Sequence, residues 1–288
     1  MRLLLFTVVV FINLSSRCQP SAEKIFSLLD GKKFSSFNNY VKDSGNKDIL
    51  KLRIDPFSSR EIIPRFEETV VDVFENQPEF ISYRINLLSG DDVIFFYEIR
   101  NKSGDSTIKL YKNLPVFEQF ESKFEEIYGA RMDYADLFLT DIVFGDHCGM
   151  IGKNPGECEQ MISYVDHWDI LSLRKWLRSP NVEKQMYGAR GIRLLEKKGY
   201  MLTTDELRIF KILQEKKGNV HTCSGCTFMG LPIDFVASEI ADNYPGYEWG
   251  IEDFSPKPLH LPTIAGIIFC IILIFSVGYV LKNKRKDN

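Results

Sequence analysis

The chain has 288 residues, 44% hydrophobic and 26% charged, with a formal net charge of -3 and a pI near 5.9. These proportions fit a folded protein and exclude a disordered tail, a collagen-like repeat, a disulfide-dense miniprotein and a strongly basic nucleic-acid binder. The apolar content is concentrated at both ends, leaving a more polar stretch between two membrane-related segments.

Met1-Arg2 precedes an apolar run from Leu3 to Leu14, interrupted by Asn13 and followed by Ser16 and Cys18. One positive charge, a short apolar core and small residues at its end predict a secretory signal peptide over 1–18, too short for a typical spanning helix. Cleavage after Cys18 is the leading expectation. Retention as an anchor and acylation of Cys18 are the other two, although Arg17 is a poor fit to the small residue that acylation requires.

Residues 21–130 are expected to form an α+β exported domain. Glu23 to Asp30 carries Ile25, Phe26, Leu28 and Leu29 and stops at Gly31, the pattern of a short helix. Ile49 to Ile54 alternates as a half-buried strand. Arg65 to Glu75 has helical spacing at Phe66, Val70, Val73 and Phe74, but its β-branched centre favours a strand. Three alternating runs follow, Phe80 to Leu88, Asp92 to Arg100 and Ser106 to Lys112, separated by Gly- and Asp-containing breaks. They predict an antiparallel meander. A helix from Pro115 to Tyr128, striped with Phe117, Phe120, Phe124, Ile127 and Tyr128, is expected to cover its greasy face as core, not as a ligand box.

Residues 131–242 are expected to form a helical region. Helices are predicted over Asp133 to Val143, Pro155 to Val165 and Asp169 to Arg178. Another is predicted from a Ser179 cap to Lys197-Lys198-Gly199, and a last one from the Thr203/Glu206 capping box through Leu207, Phe210 and Leu213 to Lys216-Lys217-Gly218. This amounts to a small HEAT-like helical layer, with too few repeats for a solenoid. Residues 243–262 hold four prolines and read as a stalk. Thr263 to Leu281 is an uncharged run of 19 residues. As a helix it would reach roughly 28 Å, close to a bilayer's hydrocarbon thickness. A transmembrane helix over 263–281 is therefore expected. Lys282, Lys284, Arg285 and Lys286 follow it in the tail 282–288, and the positive-inside rule places that tail in the cytoplasm and the preceding domain outside.

Of six cysteines, Cys18 falls in the signal and Cys270 in the span, leaving Cys148, Cys158, Cys223 and Cys226. Two strings stand out: Asp146-His147-Cys148-Gly149 and His221-Thr222-Cys223-Ser224-Gly225-Cys226. Each reads as a loop after a helix. Three readings stay open. Disulfides would fasten the helical layer in an oxidising compartment. Zinc could be held by His221, Cys223 and Cys226 with Cys148 or His147, the soft sulfur and imidazole donors that a tetrahedral site prefers. In the third, Cys223 attacks and Cys226 resolves in thiol-disulfide chemistry, although a redox CxxC is expected at a helix N-terminus. Hydrolase, phosphate-loop and dinucleotide motifs are missing from the sequence. Asn101-Lys102-Ser103 matches a glycosylation acceptor, relevant only in a eukaryotic secretory pathway.

The strings FGDHCG (144–149), WLRSPNVEKQMYGARGIRLLEKKG (176–199), LTTDEL (202–207) and KKGNVHTCSGC (216–226) together resemble uncharacterised exported proteins of Bacteroidetes-type bacteria, over roughly a third of the chain. The resemblance implies a periplasmic setting and groups Cys148, Cys223 and Cys226, with Cys158 as an addition. It implies no activity and no catalytic residues. The expectation for function is a single-pass membrane protein with an exported interaction or structural domain and no enzymatic role. The alternative is a zinc-binding or thiol-redox protein using the two cysteine loops. The expected partners are the lipid bilayer and an unidentified exported protein, not nucleic acid.

Overall fold

The computed structural model describes residues 21–45, 52–76, 80–104 and 106–241. The expected signal peptide, stalk, spanning run and basic tail lie outside these residues. Among the described residues, no helix is long and apolar enough to cross a membrane. The fold is α+β, with an antiparallel sheet followed by helices.

Two helices, α1 (Ser21–Asp30) and α2 (Phe34–Gly45), precede five strands: β1 (Leu52–Ile63), β2 (Phe66–Asn76), β3 (Phe80–Gly90), β4 (Val93–Asn101) and β5 (Ser106–Lys112). The strands pair in chain order as an antiparallel meander, as their alternation predicts. β1 is longer than the Ile49 to Ile54 run suggested. It carries Pro56 beside a register shift on the edge of the sheet, where a missing N–H disrupts least. Directly opposed residues share a face, so Val71, Ile85 and Ile99 form one row, with Leu87 and Tyr97 beside it. This face is sealed by Ile25 and Leu29 of α1 and by Phe37 and Val41 of α2. The sequence pattern did not reveal α2, because Ser35, Ser36, Asn38 and Asn39 dilute its Phe34, Phe37, Val41 stripe.

The other face is apolar at one end. Phe66, Leu88 and Phe95 lie there beneath Phe117, Phe120, Phe124 and Tyr128 of α3 (Leu114–Tyr128), all buried. Phe120 meets Phe66 and Phe95 at ring-centroid distances of 5.4 and 5.7 Å. Each such side chain contributes about 1.5–3 kcal/mol by leaving water, so the aromatic stripe is core. Gly129 ends the helix with φ of 64° and its N–H on the Glu125 carbonyl.

Further along the same face the sheet is charged. Arg60 and Glu68 are directly opposed across β1 and β2, and both are buried. Their neighbours explain why no helix forms over Asp133 to Val143, contrary to the periodic reading. Only Tyr134–Asp136 makes a single 3-10 turn, capped by Asp133. Phe138 donates its N–H to Glu68 Oε2 (3.1 Å), and the Leu139 carbonyl accepts from Arg60 Nη2 and Asn181 Nδ2 (3.3 Å each). The sheet's charges thus hold the backbone groups that a helix would pair internally.

The helical half consists of α4 (Gly156–Asp166), α5 (Ile170–Leu177), α6 (Val182–Lys197), α7 (Thr204–Glu215) and α8 (Ile233–Ala241). Its middle is α6, which buries Val182, Met186, Tyr187, Ala189, Ile192 and Leu195. The cap of α6 is Asn181, whose side chain accepts from Lys184 N–H, and not Ser179 as expected. Ser179 is engaged elsewhere, donating to Asp136 Oδ2 (2.7 Å) and accepting from Asn181 N–H (3.0 Å). The Thr203/Glu206 capping box is present. Leu207 is exposed, however, and Glu206, Ile209, Phe210 and Leu213 face inward. Glu206 can occupy a core position because Thr203 N–H, Arg174 and Tyr200 all bond its carboxylate.

Candidate functional site

The second cysteine string is not a loop after a helix. Asn219–Ser224 and Thr227–Pro232 pair as a hairpin, β6 and β7, with Gly225-Cys226 as its two-residue turn. Gly225 has φ of +54°, the left-handed conformation that such a turn demands. The alternating Val220, Thr222 and the Ser-Gly pair are the sequence signals of this hairpin, masked by its short length.

The first string lies along the free side of β6 as a short parallel run. Phe144 N–H donates to His221 O (2.7 Å), Cys223 N–H to Phe144 O (3.3 Å) and Gly149 N–H to Gly225 O (2.7 Å). Cys148 N–H then bonds Lys153 O (2.8 Å), folding the chain back so that Met150 and Ile151 project at the tip, 93% and 86% exposed. Gly145 makes the close approach possible: a Cβ there would lie 2.7 Å from Cys223 Sγ and 2.8 Å from its carbonyl oxygen. Beneath the run, the Tyr187 hydroxyl lies 2.7 Å from Val143 O and 2.9 Å from Gly145 O, and accepts from Gly145 N–H at 3.0 Å. Burial pushes the pKa of this phenol upward, so it stays a neutral donor.

Cys148 and Cys223 are joined by a disulfide, with Cα atoms 5.6 Å apart and a separation of 75 positions in sequence. Cys226 is a free thiol exposed at the hairpin turn, and Cys158 is free and buried in α4. Burial pushes the Cys158 thiol up to about 11, and it behaves as a small core residue. Of the expected zinc donors, Cys148 and Cys223 therefore carry no thiolate while the bond is closed. The His147 side chain lies partly exposed, its Nδ1 3.6 Å from Asp146 Oδ1. The backbone N–H of His221 donates to Glu183 Oε1 (2.9 Å), and burial lowers the pKa of its half-buried ring, with Glu183 opposing and Arg60 adding to that shift. Among the described residues, no three His, Cys, Asp or Glu side chains gather as a metal-holding group.

Two ionic contacts, which the sequence patterns did not flag, seat this site on the body of the protein. Asp146 pairs with Arg190 of α6 at 2.9 Å, both nearly buried. Glu183, at the start of α6, pairs with Arg60 at 2.6 Å and so ties the β6 backbone to the sheet. No protein-family model matches the chain, and neither a curated protein nor a solved structure matches it.

Proposed function

We propose that the chain is an exported, membrane-tethered module whose α+β body serves as an interaction or structural domain. The observation that carries this reading is the Cys148–Cys223 disulfide, because such bonds form and persist in oxidising compartments. The signal-like start, the apolar run over 263–281 and the basic tail support the tether, with the body periplasmic in a Gram-negative cell and the tail in the cytoplasm. The disulfide holds Met150 and Ile151 forward on a fixed run, and such exposed apolar tips suit contact with a protein partner. A periplasmic reporter fused after Asn288 should be inactive and one fused after Ala241 active; the reverse pattern overturns the orientation.

The second reading, a zinc or thiol-redox protein, draws on three cysteines meeting at one hairpin end. Metal analysis alongside intact mass, with and without alkylation, separates the two. Stoichiometric zinc with free Cys148 and Cys223 would replace the structural reading, whereas a closed bond without metal supports it.

A further inference from the structure

We propose that Cys226 exchanges with the Cys148–Cys223 disulfide, so that the bond moves between a buried pairing and a solvent-facing Cys148–Cys226 pairing. The inference goes beyond the tethered-module reading and deepens the thiol alternative, resting on the closed Cys148–Cys223 bond. Its first support is placement. Cys148 bridges Gly225 in the parallel register, and the next residue, Gly149, donates to the Gly225 carbonyl at 2.7 Å. Cys226 follows Gly225 directly, on the exposed turn. All three cysteines therefore meet at one end of the hairpin, within a residue or two of a shared backbone contact.

The second support is the asymmetry between the two bonded sulfurs. Cys223 is only 1% exposed, and the Gly145 backbone covers it so closely that no Cβ would fit between them. Cys148 is half-buried, and its backbone bridges Gly225, the residue that precedes the exposed Cys226. Attack therefore falls on Cys148 Sγ. The Cys226 thiol loses its proton to solvent, and its thiolate forms a bond to Cys148 Sγ. The Cys148–Cys223 bond breaks, and its electron pair leaves on Cys223 Sγ, which takes up a proton. One disulfide and one thiol stand on each side of this step, so no oxidant or reductant is consumed. The new bond encloses a loop only three residues longer, so loop closure favours neither pairing appreciably. Cys158, in the core beside α6, takes no part.

Exchange gives the protein a chemical entry point. An external dithiol finds little access to the bond while it is held by Cys223, and open access once it is held by Cys226. Reduction there oxidises the dithiol to its disulfide and adds thiols at Cys148 and Cys226 to the one already on Cys223, freeing the run that carries Met150 and Ile151 from its covalent tie to β6.

The test uses the full-length protein in detergent, quenched in acid, labelled at free thiols and mapped by peptide mass spectrometry. Before incubation, Cys226 carries label and Cys148 and Cys223 do not; label on both of those at the outset would overturn the disulfide itself. After incubation at mildly alkaline pH without reductant, label should appear on Cys223 with a matching loss from Cys226. Cys226→Ser should be opened by dithiothreitol several-fold more slowly than wild type. A Cys223 that stays unlabelled, together with a Cys226→Ser rate equal to wild type, overturns the exchange while leaving the disulfide intact. Cys223→Ala gives a third arm. Where its near-UV circular dichroism matches wild type, an excess of a small-molecule disulfide such as oxidised glutathione is supplied as the two-electron oxidant, which is itself reduced to two thiols. A Cys148–Cys226 bond is then the expected product, and two thiols left free or capped by the reagent argue against the inference. The wild-type labelling decides the matter even if that variant does not fold.

Discussion

Arg60 shows how single residues join the two halves. Its guanidinium is enclosed by Glu68 across the strand pair and by Glu183 from a helix 123 residues away. Burial works against the charge, but the attraction of Glu68 and then Glu183 outweighs it, and the Arg60 pKa is raised. Removing one partner of such a buried pair leaves uncompensated charge and typically costs about 3–5 kcal/mol. Arg60→Met should therefore lower stability by about that much, read as a shift of the urea midpoint at constant m-value. Adding Glu68→Leu and Glu183→Leu should not restore it. Those carboxylates also accept Phe138 N–H and His221 N–H, and each orphaned donor costs about 1–3 kcal/mol. Full recovery in the triple variant would show that the cluster is dispensable.

At the scale of the element, two glycines of α6 set how closely α5 can pack. A Cβ on Gly188 would fall 2.4 Å from Leu177 N and 2.9 Å from Leu173 O, both backbone atoms. On Gly191 it would meet the movable Leu173 Cδ2 and Met161 Cγ instead. In an open helix each change to Ala would gain about 0.5–1 kcal/mol. Here Gly188→Ala should destabilise by about 1–3 kcal/mol as the helices separate, and Gly191→Ala by clearly less, in matched thermal melts. Equal effects would contradict this ranking.

The capping box of α7 carries a pH signature. Burial works to raise the Glu206 carboxyl pKa, but Thr203 N–H and the Arg174 guanidinium outweigh it, and the folded value lies below the ordinary 4.5. A carboxyl depressed on folding contributes stability that is fully present above 4.5 and is lost as pH falls through the folded value. The urea midpoint should decline with acidification below that point, and less steeply in Glu206→Gln; parallel slopes would assign the loss to other groups.

These elements also mark what the sequence makes legible. The capping box, the meander and the aromatic stripe of α3 are local patterns, decided by residues within a few positions of each other. The β-branched centre of Arg65 to Glu75 prevails over its helical spacing, and the segment pairs as β2. By contrast, the segment Asp133 to Val143 has helical spacing, yet Glu68 and Arg60 take its backbone groups across a sequence distance that no periodicity records. The hairpin of Asn219–Ser224 and Thr227–Pro232 was hidden for a related reason, since its outer strand is largely exposed and leaves almost no apolar alternation to read. The grouping of Cys148 with Cys223 was legible only as one possibility among several, because connectivity is a property of the folded backbone.

For the whole molecule, the disulfide is a restraint on the unfolded chain. Closing a loop of 75 residues corresponds to about 4.5 kcal/mol in the chain-entropy model, an upper figure. Reduction should lower the melting temperature. Hydrogen exchange should also quicken first over residues 144–153 and 219–232, while the five-stranded sheet keeps its protection. Uniform loss of protection would mean that the bond holds the entire fold rather than one corner.

The meander topology has a consequence for the order of assembly. Every strand pairs with its immediate neighbour in sequence, and both apolar helices on the outer face precede the sheet, so residues up to about 112 need nothing from the later chain to find their partners. A chain emerging N-terminus first can complete this half while the helices are still to come. Away from its Phe66, Leu88 and Phe95 end, which α3 covers next, the face left waiting presents Arg60, Glu68, Asp72 and Arg84 to water. Charges that become a buried seam in the finished protein thus serve as a solubilising coat on the half-made one, and Cys148 is left for last, closing only when Cys223 arrives.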